Sequence, residues 1–418
     1  MTIRRTKKIL ALSALLLLAL PVVASAQMSR VEGMALQGDF IKDWSAIFTY
    51  PSQVSNVGNL VYGELGNTSP SVITFDRSVG AVIGNLWEGR LGTWGVHLRE
   101  QTPQLGQGDA ASNPSPGIDG ADPNTHSMES FDLMWGKKFG TTSFGLRLNR
   151  SFGGLEVNDP TTALGKVEYD FTLPGSANLH RNVIGFGGGI GFEMNPTTNV
   201  EAGILYQQRK FSVEDSTGAV LAKEDGPATF QVAGRIMWQW QPNIMVVPVF
   251  KYYSYDLSLR AGTAVDDNSL KGWQFGAAAN WALGSNDLFV WGATFAQNKL
   301  KSANATASGA FGPVSEETET YAPQVFAALE THVNSWLTLR FGANKGAWYS
   351  IEDQNSTVPN NIKFKGADFN MHLGAGVKVG NLQLDAILAD DFPNNLPYFI
   401  SGNQTSDMFT KVTATYPF

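Results

Sequence analysis

The stretch FQVAGRIMWQW, from Phe230 to Trp240, alternates between two kinds of residue at every second position. One set holds Phe230, Val232, Ile236, Trp238 and Trp240, and the other holds Gln231, Ala233, Arg235 and Gln239. Successive side chains of a β-strand point to opposite faces, so the stretch predicts a strand with one apolar and one largely polar face. Soluble strands usually have about five or six residues, and this longer run suits a tilted strand that crosses a membrane.

The same alternation recurs along the chain. From residue 129 onward we count thirteen strand-like segments, joined alternately by tight turns and long polar connections. The tight turns are 139–142, 195–198, 241–243, 284–287, 333–335 and 379–381. The long connections are 154–179, 213–227, 259–269, 301–317, 350–362 and 392–406. Short turns on one side and long loops on the other are typical of bacterial outer-membrane barrels.

The number of strands follows from the segments upstream of residue 129. Residues 92–101 lead into the long loop 102–128 and raise the count to fourteen. Residues 59–66 and 79–86 could add one hairpin and raise it to sixteen. An even number lets one chain close on itself without a free strand edge. We therefore predict an all-β fold, a transmembrane antiparallel β-barrel of 14 strands, with sixteen as the alternative.

The beginning of the chain has the features of an export signal. Four basic residues within 1–8 precede the apolar run 9–23, which ends in the small-residue triplet Ala24-Ser-Ala26. We expect residues 1–26 to be a cleaved signal peptide, residues 27–57 to form a plug-like segment, and residues 58–418 to form the barrel. This organisation predicts a bacterial outer-membrane location, with outer-membrane lipids as partners.

Charge and cysteine content exclude several classes of protein. The 37 Asp and Glu residues outnumber the 30 Lys and Arg residues, which argues against nucleic-acid binding. The sequence has no cysteine, so disulfide scaffolds, thiol catalysis and cysteine metal sites are excluded. We expect no cofactor and no metal.

The polar faces of the predicted strands provide the candidate site residues. If the aromatic faces contact lipid, these polar faces line the barrel lumen. The predicted lumen-lining residues are Arg99, Asp132, Arg147, Glu201, Arg209, Arg235, Lys251, Arg340, Asp368, His372 and Lys411. Both signs of charge recur, so we expect a hydrated lumen crossed by ion pairs.

The stretch VIGFGGGIGFE, from Val183 to Glu193, is rich in glycine. It fails the sixth position of the dinucleotide-binding fingerprint, which argues against a phosphate site. At strand spacing, Gly185, Gly187, Gly189 and Gly191 fall on the inward face and form a lane without side chains. The lane either leaves room for a plug, an infolded loop or a solute, or it only eases bending of the strand.

The chain ends in aromatic residues at alternate positions, Tyr416 and Phe418. This ending resembles the C-terminal signal by which bacterial outer-membrane proteins are recognised for assembly. We therefore expect the barrel assembly machinery to be a partner.

The segment before the first predicted strand contains Gly33-Met-Ala35 and Thr49-Tyr-Pro-Ser52. It resembles the FadL-like long-chain fatty-acid transporters and the related PorV-type outer-membrane proteins. In those families a Gly-Met-Gly-like opening and an Asn-Pro-Ala turn lie in an N-terminal segment inside a fourteen-stranded barrel. The resemblance implies a short lumenal segment here as well.

Two functions are compatible with this sequence. The first is a porin or transporter that passes small solutes, hydrophobic ones if the FadL-like resemblance extends to the solute. The second is a non-transporting adaptor or adhesin of PorV type that uses its extracellular loops. Asp368, Asn370 and His372 share a predicted lumen face, but the sequence lacks hydrolase and metalloprotease motifs, so we predict no enzyme activity.

Overall fold

The computed structural model describes the chain from residue 28 onward, with gaps. The described residues are 28–66, 77–84, 86–99, 129–156, 176–215, 217–224, 229–256, 258–261, 264–266, 269–284, 286–305, 311–355, 362–366, 369–390 and 411–418. Asp368, a predicted lumen residue, and the signal peptide lie outside these ranges. Within them, no helix is long and apolar enough to span a membrane.

The fold consists of strands that follow a short helical segment. The strands are β1 (Leu60–Leu65), β2 (Arg77–Ile83), β3 (Thr93–Arg99), β4 (Glu129–Phe139), β5 (Thr142–Glu156), β6 (Ser176–Asn195), β7 (Thr198–Asp215), β8 (Val220–Glu224), β9 (Thr229–Gln241), β10 (Ile244–Asp256), β11 (Leu259–Ala261), β12 (Ala264–Asp266), β13 (Ser269–Leu283), β14 (Asp287–Ala305), β15 (Phe311–His332), β16 (Leu337–Gly346), β17 (Tyr349–Asn355), β18 (Ile362–Gly366), β19 (Phe369–Val379), β20 (Leu382–Asp390) and β21 (Lys411–Pro417).

The strands form a closed antiparallel barrel of sixteen strands. The barrel strands are β1–β7, β9, β10, β13–β16 and β19–β21, and β1 closes the barrel by pairing with β21 from Leu60↔Pro417 to Leu65↔Val412. The predicted all-β membrane barrel is thus confirmed. The strand number is the larger alternative, because residues 60–65 and 77–83 form the additional hairpin.

The structure corrects several predicted loops. Strands β14 and β15 extend through most of 301–317, and β17 occupies much of 350–362. The short strands β8, β11 and β12 lie within two further predicted loops, 213–227 and 259–269. Strand β8 pairs with the end of β7 and with β11, and β11 pairs with β12. Polar residues continue these strands past the apolar band. The prediction from sequence placed the end of each strand at the end of the apolar band.

Alternate side chains separate into an exposed outer face and a buried inner face. In β9, Ile236, Trp238 and Trp240 are exposed, whereas Gln231 and Arg235 are buried. The exposed face is apolar on the other strands too, with Phe275, Trp281 and Trp291 among its members. An apolar exterior around a polar interior is the arrangement of a membrane barrel.

Two tyrosines depart from the outer aromatic girdle that strand-end aromatics suggest. Tyr253 and Tyr255 are fully buried and point inward. Tyr253 donates a hydrogen bond to Asn298 and Tyr255 donates one to Gln231. The ring of Tyr253 covers Gly272 on the neighbouring strand, where a side chain would overlap it. The counterpart Tyr252, one residue away, is on the outer face.

Residues 28–58, the lumenal segment, lie inside the barrel. They form helix α1 (Met28–Glu32) and three 3₁₀ turns, Gly38–Phe40, Trp44–Phe48 and Pro51–Asn56. Between α1 and the first turn, the chain reverses at Ala35, whose φ of 51° lies in the left-handed region that favours glycine. Nearly all side chains of the segment are buried against the wall.

Candidate functional site: the lumen and its N-terminal segment

Glycines of the wall provide the seat for the second half of the lumenal segment. Gly136, Gly145, Gly189 and Gly203 occupy one register row across β4, β5, β6 and β7. A Cβ built on Gly145 would overlap the Pro51 carbonyl, and one on Gly203 would overlap the Thr49 carbonyl. The lumenal backbone therefore lies directly on the wall backbone along this row.

The predicted glycine lane on β6 meets this row at a single position. A Cβ on Gly189 would lie 2.7 Å from the Ser52 nitrogen, so this glycine is needed for the contact. Gly187 and Gly191 are next to Pro51 and Ser52, whereas Gly185 faces Asn149 and Gln207 of the adjacent strands. The seat runs across four strands rather than along one.

A buried ion network holds helix α1 to the opposite wall. Arg30 donates two hydrogen bonds of 2.8 Å to the two carboxylate oxygens of Glu330 and one of 3.0 Å to Asp43. Arg340 donates from Nε to Glu330 and from Nη1 to Asp385, both at 2.6 Å. The wall residues Glu330, Arg340 and Asp385 thus form a chain of ion pairs, and Arg30 of the lumenal segment joins this chain at Glu330.

Electrostatics keep Arg30 charged in this buried position. Burial alone would lower its pKa, but the carboxylates of Glu330 and Asp43 more than reverse that effect, so its pKa lies above the ordinary value. Asp43 is itself fixed by hydrogen bonds from the Ser45 backbone nitrogen, 2.9 Å, and the Ser45 hydroxyl, 2.7 Å. Arg30 therefore keeps its charge although it is buried.

A second cluster centres on Arg235 of β9. Its Nε donates to Glu201 at 2.7 Å, and its Nη1 donates to the carbonyls of Asp39 and Ile41 at 3.1 and 3.2 Å. The guanidinium also lies 4.5 Å from the centre of the Tyr50 ring. Burial raises the pKa of Tyr50 and the nearby Asp39 carboxylate raises it further, so this phenol remains neutral.

Other predicted lumen residues contact the same segment. Lys251 pairs with Asp39, and Lys411 lies 3.3 Å from the Glu32 carboxylate and 3.0 Å from Glu64. His372 Nδ1 is 2.7 Å from the Glu32 carbonyl oxygen.

The aromatic end of the second 3₁₀ turn is held by arginines. Arg147 donates to the Phe48 carbonyl at 2.9 Å and to Asp132 at 2.8 Å. Arg99 and Arg147 place their guanidinium carbons 5.0 and 5.3 Å from the centre of the Phe48 ring. Arg209 instead bonds its neighbour Gln207 at 3.4 Å. The candidate lumen residues therefore gather mainly around the lumenal segment.

Sequence reasoning missed the partners on the segment itself. Arg30, Glu32 and Asp39 pair with charged residues of the wall, and none of them was identified as a site residue. Their signal is weak but present, because isolated charges interrupt an otherwise apolar run between residues 28 and 57. The terminal residues Tyr416 and Phe418 are exposed on the outer face at the tight-turn end.

Replacing Arg30 with methionine should loosen helix α1 without breaking the wall. Glu330 keeps Arg340 and Asp43 keeps Ser45, so we expect a loss of about 1–3 kcal/mol rather than the larger cost of an unpaired buried charge. Urea unfolding of the barrel in lipid vesicles measures this loss. The control is Lys42→Met, on the exposed Lys42 of the same segment. Equal stability of the two variants would contradict the role assigned to Arg30.

Comparison with known proteins gives weak likenesses. No family model and no curated protein matches this sequence. Among solved structures, a FadL homologue of Pseudomonas aeruginosa has a TM-score of 0.43 at 13% identity over 94% of this chain and 99% of that one. The toluene transporter TbuX of Ralstonia pickettii has a TM-score of 0.37 at 11% identity, over 94% of this chain and 97% of that one. The ferric preacinetobactin receptor BauA of Acinetobacter baumannii has a TM-score of 0.43 at 11% identity, over 79% of this chain and 53% of that one. At such scores these likenesses assign neither a family nor a solute to this chain.

Proposed function

We propose that this chain is an outer-membrane channel or transporter for small solutes, and that its lumenal segment closes the passage in the conformation described. The observation that carries the proposal is the set of charged residues buried inside a barrel with an apolar exterior. Arg235, Arg340, Glu201 and Asp385 are each at most 2% exposed. Buried charges are costly unless they are paired. These four residues pair within the wall, whereas the buried wall residues Glu330 and Lys251 pair with Arg30 and Asp39 of the lumenal segment.

Passage through such a lumen requires the segment to shift. Its contacts are hydrogen bonds, ion pairs and backbone seats on glycine, and no disulfide joins it to the wall because the chain has no cysteine. The wall network of Glu330, Arg340 and Asp385 remains paired when Arg30 leaves. The barrel can therefore stay closed as a cylinder while the segment moves.

The lining favours solutes with both polar and apolar parts. Apolar side chains form several patches within the polar lumen. One contains Phe40 of the segment together with Val249 and Phe326 of the wall. Another contains Leu205, Tyr253 and Tyr255. Solutes of this kind would exchange contacts with the lining at each step without a large desolvation cost.

A disulfide that holds the segment in place tests the proposal. The Ser29 hydroxyl lies 2.5 Å from the Thr413 hydroxyl, so Ser29→Cys with Thr413→Cys places two thiols within bonding reach. We expect the oxidised barrel to be silent in planar bilayers and the reduced barrel to pass ions or solutes. Each single variant is a control, since neither can form the bond. Equal passage before and after reduction would contradict a gating role for the segment.

The alternative is a non-transporting adaptor. The feature that favours it is the extension of the wall beyond the apolar band, where β8, β11 and β12 pair and where β14 and β15 run for 19 and 22 residues. Such an ordered rim offers a surface for a partner protein. Bilayers that remain silent with both the oxidised and the reduced double-cysteine barrel would favour this function.

A further inference from the structure

Basic side chains follow the apolar outer face of the wall where it ends on the loop side. We propose that these cations, centred on Lys271 and Lys299, bind the phosphate groups of a phosphorylated lipid in the surrounding leaflet. The proposal rests on the outer-membrane location proposed above but not on transport. It concerns the outside of the barrel, whereas the candidate solute path lies inside.

The two lysines are direct partners across β13 and β14, in register at Lys271↔Lys299. Like charges at directly opposed strand positions destabilise a sheet unless a counter-charge lies between them. Lys299 pairs with Glu316 at 2.6 Å and is still half exposed. Lys271 is exposed and makes no ion pair within the described part of the chain. Glu316 therefore balances Lys299, and the charge of Lys271 is left for an anion outside the described part of the chain.

Their height on the wall follows from the aromatic residues on the same face. Trp281 and Trp273 are both exposed on β13 and are eight residues apart, which is about 26 Å along a strand. With a strand tilt of about 40°, that separation covers about 20 Å of the ~25 Å apolar band of a membrane barrel. Lys271 lies two residues beyond Trp273, about 7 Å farther along the strand from the tight-turn end. Its ammonium group thus reaches the level of lipid head groups.

A second group of cations lies at the same end of β5 to β7. Arg150 donates to Asn182 and to the Val183 carbonyl, the latter at 3.1 Å. Lys210 is the register partner of Asn182 and is exposed on the outer face. Exposed Lys345 on β16, opposite exposed Phe369, adds a third position. Lys210, like Lys271 and Lys299, lies twelve residues from the tight-turn end of its strand, whereas Arg150 and Lys345 lie eight residues from it. Cations that recur at one level on separate strands match a charged lipid layer better than a single soluble anion.

Phosphate is the chemistry that fits these positions. Ammonium groups beside an anionic membrane surface gain attraction that decays within about 10 Å at moderate salt, so only groups at head-group level benefit. A head group with more than one phosphate can bridge two lysines at directly opposed strand positions. The expected ligand is therefore a lipid with several phosphates, and lipid A is a suitable probe.

The test compares two double variants in the full-length barrel. Lys271→Gln with Lys299→Gln removes the proposed site, and Lys138→Gln with Lys378→Gln makes the same charge change at the tight-turn rim, where both lysines are exposed. We measure the rise in the thermal midpoint when phosphatidylcholine vesicles include lipid A. We expect lipid A to raise the thermal midpoint equally in wild type and the rim variant. The K271Q/K299Q variant should lose most of this rise and bind lipid A about tenfold more weakly than wild type, or weaker still.

Three outcomes would overturn the proposal. They are an undiminished gain in the K271Q/K299Q variant, an equal loss in the rim variant, and the same gain from inorganic phosphate with phosphatidylcholine alone. Heat-dependent mobility in detergent gels verifies that each barrel is folded before the comparison. Passage through the lumen is measured in phosphatidylcholine without lipid A, so a failure of the transport proposal is seen separately.

Discussion

Replacing Gly145 with alanine should expel the second half of the lumenal segment from its seat. A methyl group at this position would overlap the carbonyl group of Pro51 and the nitrogen of Ser52, which are backbone atoms and cannot rotate away. Overpacking of a tight contact costs about 1–3 kcal/mol, and here the strain falls on a segment that noncovalent contacts alone hold against β4 to β7. We expect the segment to move rather than the sixteen-stranded wall.

A single thiol can report this displacement. Ser52 is fully buried, and because the chain has no cysteine, Ser52→Cys introduces the only thiol. A membrane-impermeant maleimide should label S52C slowly in the otherwise unchanged protein and rapidly when Gly145→Ala is added.

The matched control is Gly188→Ala on the lipid-facing side of β6. Its new methyl would lie 3.9 Å from the nearest atom, on Ile204, which is ordinary contact. Because glycine weakens a strand by about 0.5–1 kcal/mol relative to alanine, this change should stabilise the barrel slightly and leave S52C protected. Equal labelling of the two alanine variants would show that the glycine row does not seat the segment.

Replacing Arg235 with methionine should cause the largest loss of stability. The substitution leaves the buried Glu201 carboxylate without its cationic partner and leaves the carbonyls of Asp39 and Ile41 without their shared donor. Removal of one partner from a buried pair typically costs about 3–5 kcal/mol. Urea unfolding in vesicles measures the change, and the Arg30→Met variant should lose clearly less.

The double variant Arg235→Met with Glu201→Leu separates charge from packing. It removes the unpaired carboxylate, so it should regain a large part of the stability that R235M loses. The lost donor to the lumenal carbonyls is not replaced, so the recovery should be incomplete. If R235M stays within about 1 kcal/mol of wild type, or if the double variant is no more stable than R235M, the assigned role of the pair is wrong.

The faces of the strands could be predicted because pleating is a local property. Each residue's parity within its strand fixes its side, so Gln231 and Arg235 point inward and Trp238 points outward as their alternation indicated. Tyr253 and Tyr255 follow the same rule, although their place near a strand end suggests the outer face. Aromatic residues at strand ends resemble girdle residues, but these two have inward parity and reach polar partners within the lumen.

The seat of the lumenal segment could not be predicted, because it depends on register between strands. The sequence predicted a lane of glycines along one strand, within Val183–Glu193. The row that carries the segment joins Gly136, Gly145, Gly189 and Gly203, which belong to four strands and are far apart in the chain. One sequence contains the alternation within a strand but no information on how neighbouring strands align.

The β1–β21 seam determines the order in which the molecule can be completed. Leu60 to Leu65 pair with residues 412–417, so the ring stays open until about 350 residues of intervening chain have been placed. The lumenal segment leads directly into β1 and is enclosed on every side once the seam forms. It must therefore already be within the curling sheet at that moment, where its charged contacts with β9, β10 and β15 can template the curvature before the last strand arrives.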